Sequence, residues 1–229
     1  MESSQAAKYG GCFSGENTVL TSLGVRRKLS ELQIGEKILS QDPTTQQLIF
    51  SEVILFLDYN PIERREFFKF FLLSGRTFIV TANHLVLSGT FKKYRTVYAK
   101  KINIGDNLLV SDSNNTIVED SVVQIKPIIK TGVYAPLTKV GTLVVNDIIA
   151  SCYATVDSQS LAHWAFLPVR LVWNIKQSLF RFWSIINKPV ISWSNAPTSV
   201  TSGRPTGVHW YARMLYATAN YLLPSHLYQ

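Results

Sequence analysis

The chain has 229 residues, 46% of them hydrophobic and 12% aromatic. That is enough to build a packed core and excludes a largely disordered chain. Lys and Arg number 23 against 15 Asp and Glu, a net charge of +8, which suits nucleic acid or an anionic membrane surface. The two cysteines, Cys12 and Cys152, are too few for a disulfide scaffold or a cysteine-based zinc domain.

Residues 1–11 are polar and carry no apolar core of a secretory signal. No uninterrupted run of about 18 apolar residues is present, so no spanning helix is expected. From Cys12 to about Val156 the pattern is β. Short runs rich in Val, Ile, Phe and Leu occupy Ser51–Leu57, Phe67–Leu73, Thr77–Thr81, Asn107–Val110, Val122–Ile125 and Leu143–Asn146. Gly, Asn, Asp and Pro separate them, which predicts an antiparallel all-β domain.

This region repeats itself weakly. Ile34-Gly35-Glu36-Lys37 returns as Ile104-Gly105-Asp106-Asn107, Ser51-Glu52-Val53 resembles Ser121-Val122-Val123, and Gly75-Arg76-Thr77 resembles Gly141-Thr142-Leu143. Three matches in the same order predict a duplicated domain with pseudo-two-fold symmetry.

After Ser158 the period changes. Leu171, Ile175, Leu179, Phe182 and Ile186 recur at three and four, an amphipathic helix ended by Pro189. Pro189 to Gly207 reads as a loop. A second helix is expected from about Val208 to Leu223, with Trp210, Met214, Ala217 and Tyr221 on one face. Charge divides at the same place. Residues 1–157 hold 17 basic and 15 acidic side chains; residues 158–229 hold 6 basic, no acidic, and all 5 Trp. Cations and aromatics on an amphipathic helix favour a membrane interface, although plain packing on the β domain fits too. No nucleic-acid recognition motif accompanies the basic excess.

Three places hold residues suited to chemistry. Cys12 follows Gly10-Gly11 at the domain's first position. Its thiol can close a five-membered ring onto the Gly11 carbonyl, so proximity is built in covalently. Taken alone, it also fits a small core residue or half of a disulfide. His84, in Thr81-Ala82-Asn83-His84, is the one histidine of the β region. With Thr81 it can contact one backbone amide from both sides, and His suits protonation of a leaving nitrogen; taken alone, it also fits a histidine satisfied by local hydrogen bonds. Asp58 ends an apolar run, where burial would make it a base, or it begins a turn at Asn60-Pro61.

These motifs resemble the C-terminal autoprocessing half of hedgehog proteins. The matching stretches are Gly11-Cys12-Phe13, Ser51 through Asp58, Thr81-Ala82-Asn83-His84-Leu85, Gly141 through Asn146 and Ala150-Ser151-Cys152-Tyr153-Ala154. Ser160-Leu161-Ala162-His163-Trp164-Ala165 and Gly207-Val208-His209-Trp210-Tyr211 match as well. The resemblance implies a Hint domain, the intein-like all-β fold, over 12–157. Residues 1–11 would be the remnant of an upstream segment ending at the scissile Gly11. Residues 158–229 would be a sterol-recognition region of two amphipathic helices and a loop, with Trp164, Trp173, Phe180, Trp183 and Trp210 meeting sterol or membrane.

The implied activity is single-turnover self-cleavage. Cys12 attacks Gly11 to form a thioester, promoted by Thr81 and His84. Asp58 activates the 3-hydroxyl of cholesterol, which leaves esterified to Gly11. Cys152 would be the redox partner of Cys12. Cholesterol is then a substrate, with no cofactor and no metal. The implied partners are the upstream signalling domain in cis and a membrane surface, not nucleic acid. The implied setting is the secretory pathway, as part of a precursor. The alternative is a non-catalytic lipid-binding or adhesion module that retains the fold.

Overall fold

A computed structural model describes residues 11–153, 166–168, 170–175 and 206–215. In chain order their strands are β1 (Phe13–Ser14), β2 (Thr18–Leu20), β3 (Arg26–Lys28), β4 (Lys37–Gln41), β5 (Leu48–Leu72), β6 (Thr77–Val80), β7 (Leu85–Thr90) and β8 (Lys93–Tyr98). A 3-10 turn at Ala99–Lys101 precedes β9 (Asn107–Ser111), β10 (Ile117–Thr138), β11 (Thr142–Val145), β12 (Ile148–Ser151) and β13 (Gly207–Val208). Helical residues at 167–168 and 170–175 form α1, and 210–215 form α2.

Eleven strands share one sheet, ordered β11-β12-β7-β9-β10-β1-β6-β5-β13, with β4 on β5 and β8 on β7. Its spine is the antiparallel pairing of β5 with β10, from Val122 opposite Leu72 to Thr138 opposite Val53. The expected duplication is present in the hydrogen bonds. Gly35 N–H donates to the Val53 carbonyl over 2.8 Å, and Gly105 N–H to the Val122 carbonyl over 2.8 Å. Glu36 and Asp106 each cap their own turn, accepting from Gln33 N–H at 2.6 Å and Asn103 N–H at 2.8 Å. Both glycines sit at φ +93°, where a side chain would be strained. The repeat therefore equates Val53 with Val122. The sequence alignment, which set Val53 against Val123, is out by one residue there.

Apolar side chains fill the space between the halves. Phe13, Phe70 and Phe78 are fully buried, with ring centroids 5.9 and 6.4 Å apart. Burying each such ring stabilises the fold by about 1.5–3 kcal/mol.

Two sequence expectations change. The runs Ser51–Leu57 and Phe67–Leu73 are not separate strands: both lie in β5, which ends at Leu72. Asn60-Pro61 is not a turn between strands but an excursion within one. Asn60 pairs with Val133 and Arg64 with Thr131, so Pro61, Ile62 and Glu63 together face Gly132 alone. Ile62 N–H donates to Asn60 Oδ1, which holds the loop-out. Gly132 has φ +91°, and a Cβ there would lie 3.0 Å from the Tyr134 ring.

In the tail, Val208 lies in β13, and helix begins at Trp210 rather than Val208. Backbone pairing to Tyr59 and Asp58 holds residues 207–208 extended. The expected apolar face of the first helix points outward where it is described: Leu171 is 51% and Ile175 57% exposed, whereas Arg170 is 8% exposed. Leu179, Phe182 and Ile186, and the second helix beyond 215, lie outside the described residues. None of the described helices is long and apolar enough to cross a membrane.

Candidate active site at Cys12

Cys12 immediately precedes β1, the short strand between β10 and β6. Its position is fixed by backbone pairing rather than by its own side chain. Phe13 pairs with Tyr134 on one side and Val80 on the other. One step along, Cys12 N–H donates to Thr81 Oγ1 at 2.8 Å, and Thr81 N–H donates to the Cys12 carbonyl at 2.9 Å. The nitrogen of the Gly11–Cys12 peptide bond is thus held by Thr81.

His84 lies against the same segment, beside Gly11 and Phe13. It is fully buried, with its ring 4.1 Å from the Phe13 ring. Its Nε2 lies 2.8 Å from the Ser151 carbonyl at the end of β12. A carbonyl only accepts, so Nε2 carries the proton. Burial lowers the His84 pKa to about 4, opposed by the backbones of Ser151 and Gly11. The resting imidazole is therefore neutral, and Nδ1 has no hydrogen-bond partner among the described residues. The general acid expected from the sequence starts as an acceptor and must first take up a proton.

Asp58, in β5, is 4% exposed. The Cys12 thiol donates to its Oδ2 at 3.4 Å. Burial raises the Asp58 pKa, against the pull of Arg65 and of the thiol hydrogen bond. Asp58 Oδ1 is buried with no hydrogen-bond partner among the described residues. Burial, then the Asp58 charge, pushes the Cys12 thiol well above its usual pKa, and Arg65 opposes this.

The residue that sequence reasoning missed is Arg65. Its Nη1 donates to Cys12 Sγ at 3.2 Å, and its Nη2 reaches Asp58 Oδ2 at 3.5 Å and Glu63 Oε1 at 2.6 Å. In an extended strand seven residues span about 23 Å. The Pro61–Glu63 excursion shortens that path, and no sequence signal announced it beyond the Asn60-Pro61 pair.

Cys152 is free, as is Cys12, and both are buried. Its Sγ lies 3.7 Å from Thr138 Oγ1, and burial takes its thiol up to about 12. It directly follows Ser151, whose carbonyl holds His84. Among the tail residues, Trp173 packs on the core cluster and Trp210 is 69% exposed. Trp164, Phe180 and Trp183 lie outside the described residues. A cavity of about 940 Å³ separates α1 and α2 from β5. Ile54, Phe56, Tyr59, Val172, Trp173 and Val208 are among its walls. Asp58 does not line it, but it sits between Phe56 and Tyr59 and pairs with Val208.

A two-fold β domain whose first residue is a buried, clamped cysteine defines an intein-like module. A family model, the Hint module, matches residues 1–224, and the chain belongs to that family. It is 36% identical over 226 residues to Protein hedgehog of Drosophila ananassae, covering 97% of this chain and 47% of that protein. Protein hedgehog of Drosophila melanogaster is 37% identical over 227 residues, covering 97% and 46%. The chain thus spans about half the length of the curated relatives it matches. Among solved structures, a DnaB intein from Synechocystis sp. PCC 6803 aligns with TM-score 0.53 at 20% identity. That alignment covers 64% of this chain and 99% of the intein, and it supports the fold alone.

Proposed function

We propose that residues 12–157 cleave the Gly11–Cys12 bond through an internal thioester and that residues 158–229 deliver a sterol, cholesterol, to it. The supporting observation is the convergence of Thr81, His84 and Asp58 on Cys12 and its preceding peptide bond. In the first step Cys12 Sγ bonds to the Gly11 carbonyl carbon. The thiol proton leaves its resting hydrogen bond to Asp58 Oδ2, passes to His84 Nδ1, the open acceptor, and goes from there to the Cys12 nitrogen as the C–N bond breaks. Thr81 holds that nitrogen in line. The upstream polypeptide is now a thioester on Cys12.

In the second step Asp58 Oδ1 accepts the sterol hydroxyl proton. The alkoxide oxygen bonds to the thioester carbon, the C–S bond breaks, and Asp58 returns the proton to the departing sulfur 3.4 Å away. The upstream polypeptide leaves as a sterol ester, and the site is restored. The cavity beside Phe56 and Tyr59 supports a sterol substrate, since its volume falls within the range of about 300–1,000 Å³ for small-molecule sites and its walls are mostly apolar. The outward Leu171, Ile175 and Trp210 support contact with the membrane that supplies the sterol. The relatives named hedgehog support an upstream signalling domain in cis and passage through the secretory pathway.

The test is a fusion with a marker protein before Met1. Dithiothreitol or cholesterol should each release a marker-sized product, and Cys12→Ala should abolish both reactions. A fusion left intact under every condition would favour a non-catalytic lipid-binding module instead.

A further inference from the structure

Arg65 binds both reacting groups, and the mechanism above does not use it. It is nearly buried, with 13% of its side chain exposed. Glu63 anchors it from within the excursion, and Asn60 Nδ2 in turn donates to Glu63 Oε2 at 3.3 Å. Two groups that must become or remain anionic, Sγ and the Asp58 carboxylate, share Arg65 as their nearest cation. Among the described residues, the charges acting on Sγ are Asp58, Arg65 and Glu63, all from β5. The remaining titratable group at the scissile bond, His84, is neutral at rest.

We propose that Arg65, braced by Glu63, is a further catalytic residue of this site, in direct contact with the reacting sulfur. Its Nη1 orients and stabilises Cys12 Sγ as it attacks and again as it leaves, and its Nη2 keeps Asp58 ionised for the sterol hydroxyl. It touches neither the sterol nor the scissile carbonyl. This inference rests on the proposed thioester chemistry and adds what sets its pH range. The direction follows from electrostatics. A cation beside a buried thiol favours the thiolate, so losing it moves attack to higher pH. The same loss makes Asp58 hold its proton to higher pH, which moves the acid limit of the sterol reaction upward too.

The experiment uses the marker fusion, as wild type and as Arg65→Ala and Arg65→Lys. Rates of dithiothreitol-induced release are measured from pH 5.5 to 9.5, with thermal melts alongside. Ionisation of dithiothreitol is common to all variants, so differences between profiles belong to the protein. Arg65→Ala should slow release about tenfold at pH 7, with the deficit closing at high pH, and Arg65→Lys should recover much of the rate. In sterol-loaded vesicles the acid limit of Arg65→Ala should rise by about one pH unit. An Arg65→Ala profile that overlays the wild type overturns the inference. So does a rate loss of equal size at every pH, which a purely structural role would give. Both results leave the thioester reading intact if the wild type cleaves; a wild type that never cleaves overturns both.

Discussion

The Cys12 N–H donates to Thr81 Oγ1 at 2.8 Å while Thr81 N–H donates back to the Cys12 carbonyl at 2.9 Å. One threonine thereby holds both the N–H and the carbonyl of Cys12, whose nitrogen leaves in the proposed reaction. Replacing it by Ala strands a buried donor, at a cost of about 1–3 kcal/mol. Thr81→Ala should slow thiol-induced release by roughly 5- to 100-fold if that cost falls on the transition state. Thr81→Ser, which retains the oxygen, should stay within a few-fold of wild type. Gel densitometry of the marker fusion reads both, and equal rates for the Ala and Ser variants would remove Thr81 from the machinery.

In the proposed reaction Asp58 separates the two steps. Asp58→Asn removes the charge that opposes the thiolate while leaving Arg65 in place. Release by dithiothreitol should be unchanged or a few-fold faster at pH 7. Release by cholesterol should fall by at least about a hundredfold, the scale of losing a general base. Retained sterol transfer would show that another group deprotonates the sterol.

His84 makes the domain acid-sensitive. Its folded pKa of about 4 lies below the unfolded value near 6.5. Above pH 6.5 both states are neutral and it has no effect. As pH falls from 6.5 towards 4 the unfolded chain gains a proton that the folded chain refuses, so stability drops. Full development is worth about 3 kcal/mol, at about 1.4 kcal/mol per pKa unit. Urea unfolding midpoints should decline over that window in the wild type and decline less in His84→Gln. Asp58 works in the opposite direction, since burial raises its pKa, so the difference between the two proteins is the quantity to compare.

Removing residues 158–229 should uncouple sterol transfer from thiolysis. Cleavage at Cys12 by dithiothreitol should persist, because Cys12, Asp58, Thr81, His84 and Arg65 all lie before the cut. Sterol-dependent release should vanish with the cavity walls supplied by Val172, Trp173 and Val208. The truncated domain should also melt lower. Phe166 stacks on Tyr153 with centroids 5.5 Å apart, and the buried Val208 pairs with Asp58 along β5, so about 2–4 kcal/mol of packing is lost. Scanning calorimetry and the two release assays report these outcomes together.

Much of this was legible before any coordinates. Gly35 and Gly105 announce the duplication because a left-handed turn admits little but glycine, so the signal survives where neighbouring residues have drifted. Cys12, Thr81, His84 and Asp58 each sit in a short motif that is ambiguous alone, and they stand out as a set only through the joint resemblance to the hedgehog autoprocessing half. Arg65 carries no such mark. Four more basic residues crowd β5 and its neighbour β10, Arg64 and Lys69 on the first and Lys126 and Lys130 on the second, and alternation alone does not say which of them turns inward.

The amino-acid order by itself determined the β character, the repeat and the change of material after Ser158, and it marked Cys12 as a candidate nucleophile, because each is written in local periodicity or in residue type. Only the tertiary structure decided that β5 runs unbroken through Asn60-Pro61, that Arg65 reaches Cys12, and that His84 rests neutral. The physical reason is the same in each case. A bulge is set by the partner strand, here Gly132 opposite Pro61–Glu63, and a pKa is set by burial that distant strands impose. Neither quantity belongs to any single segment of the chain.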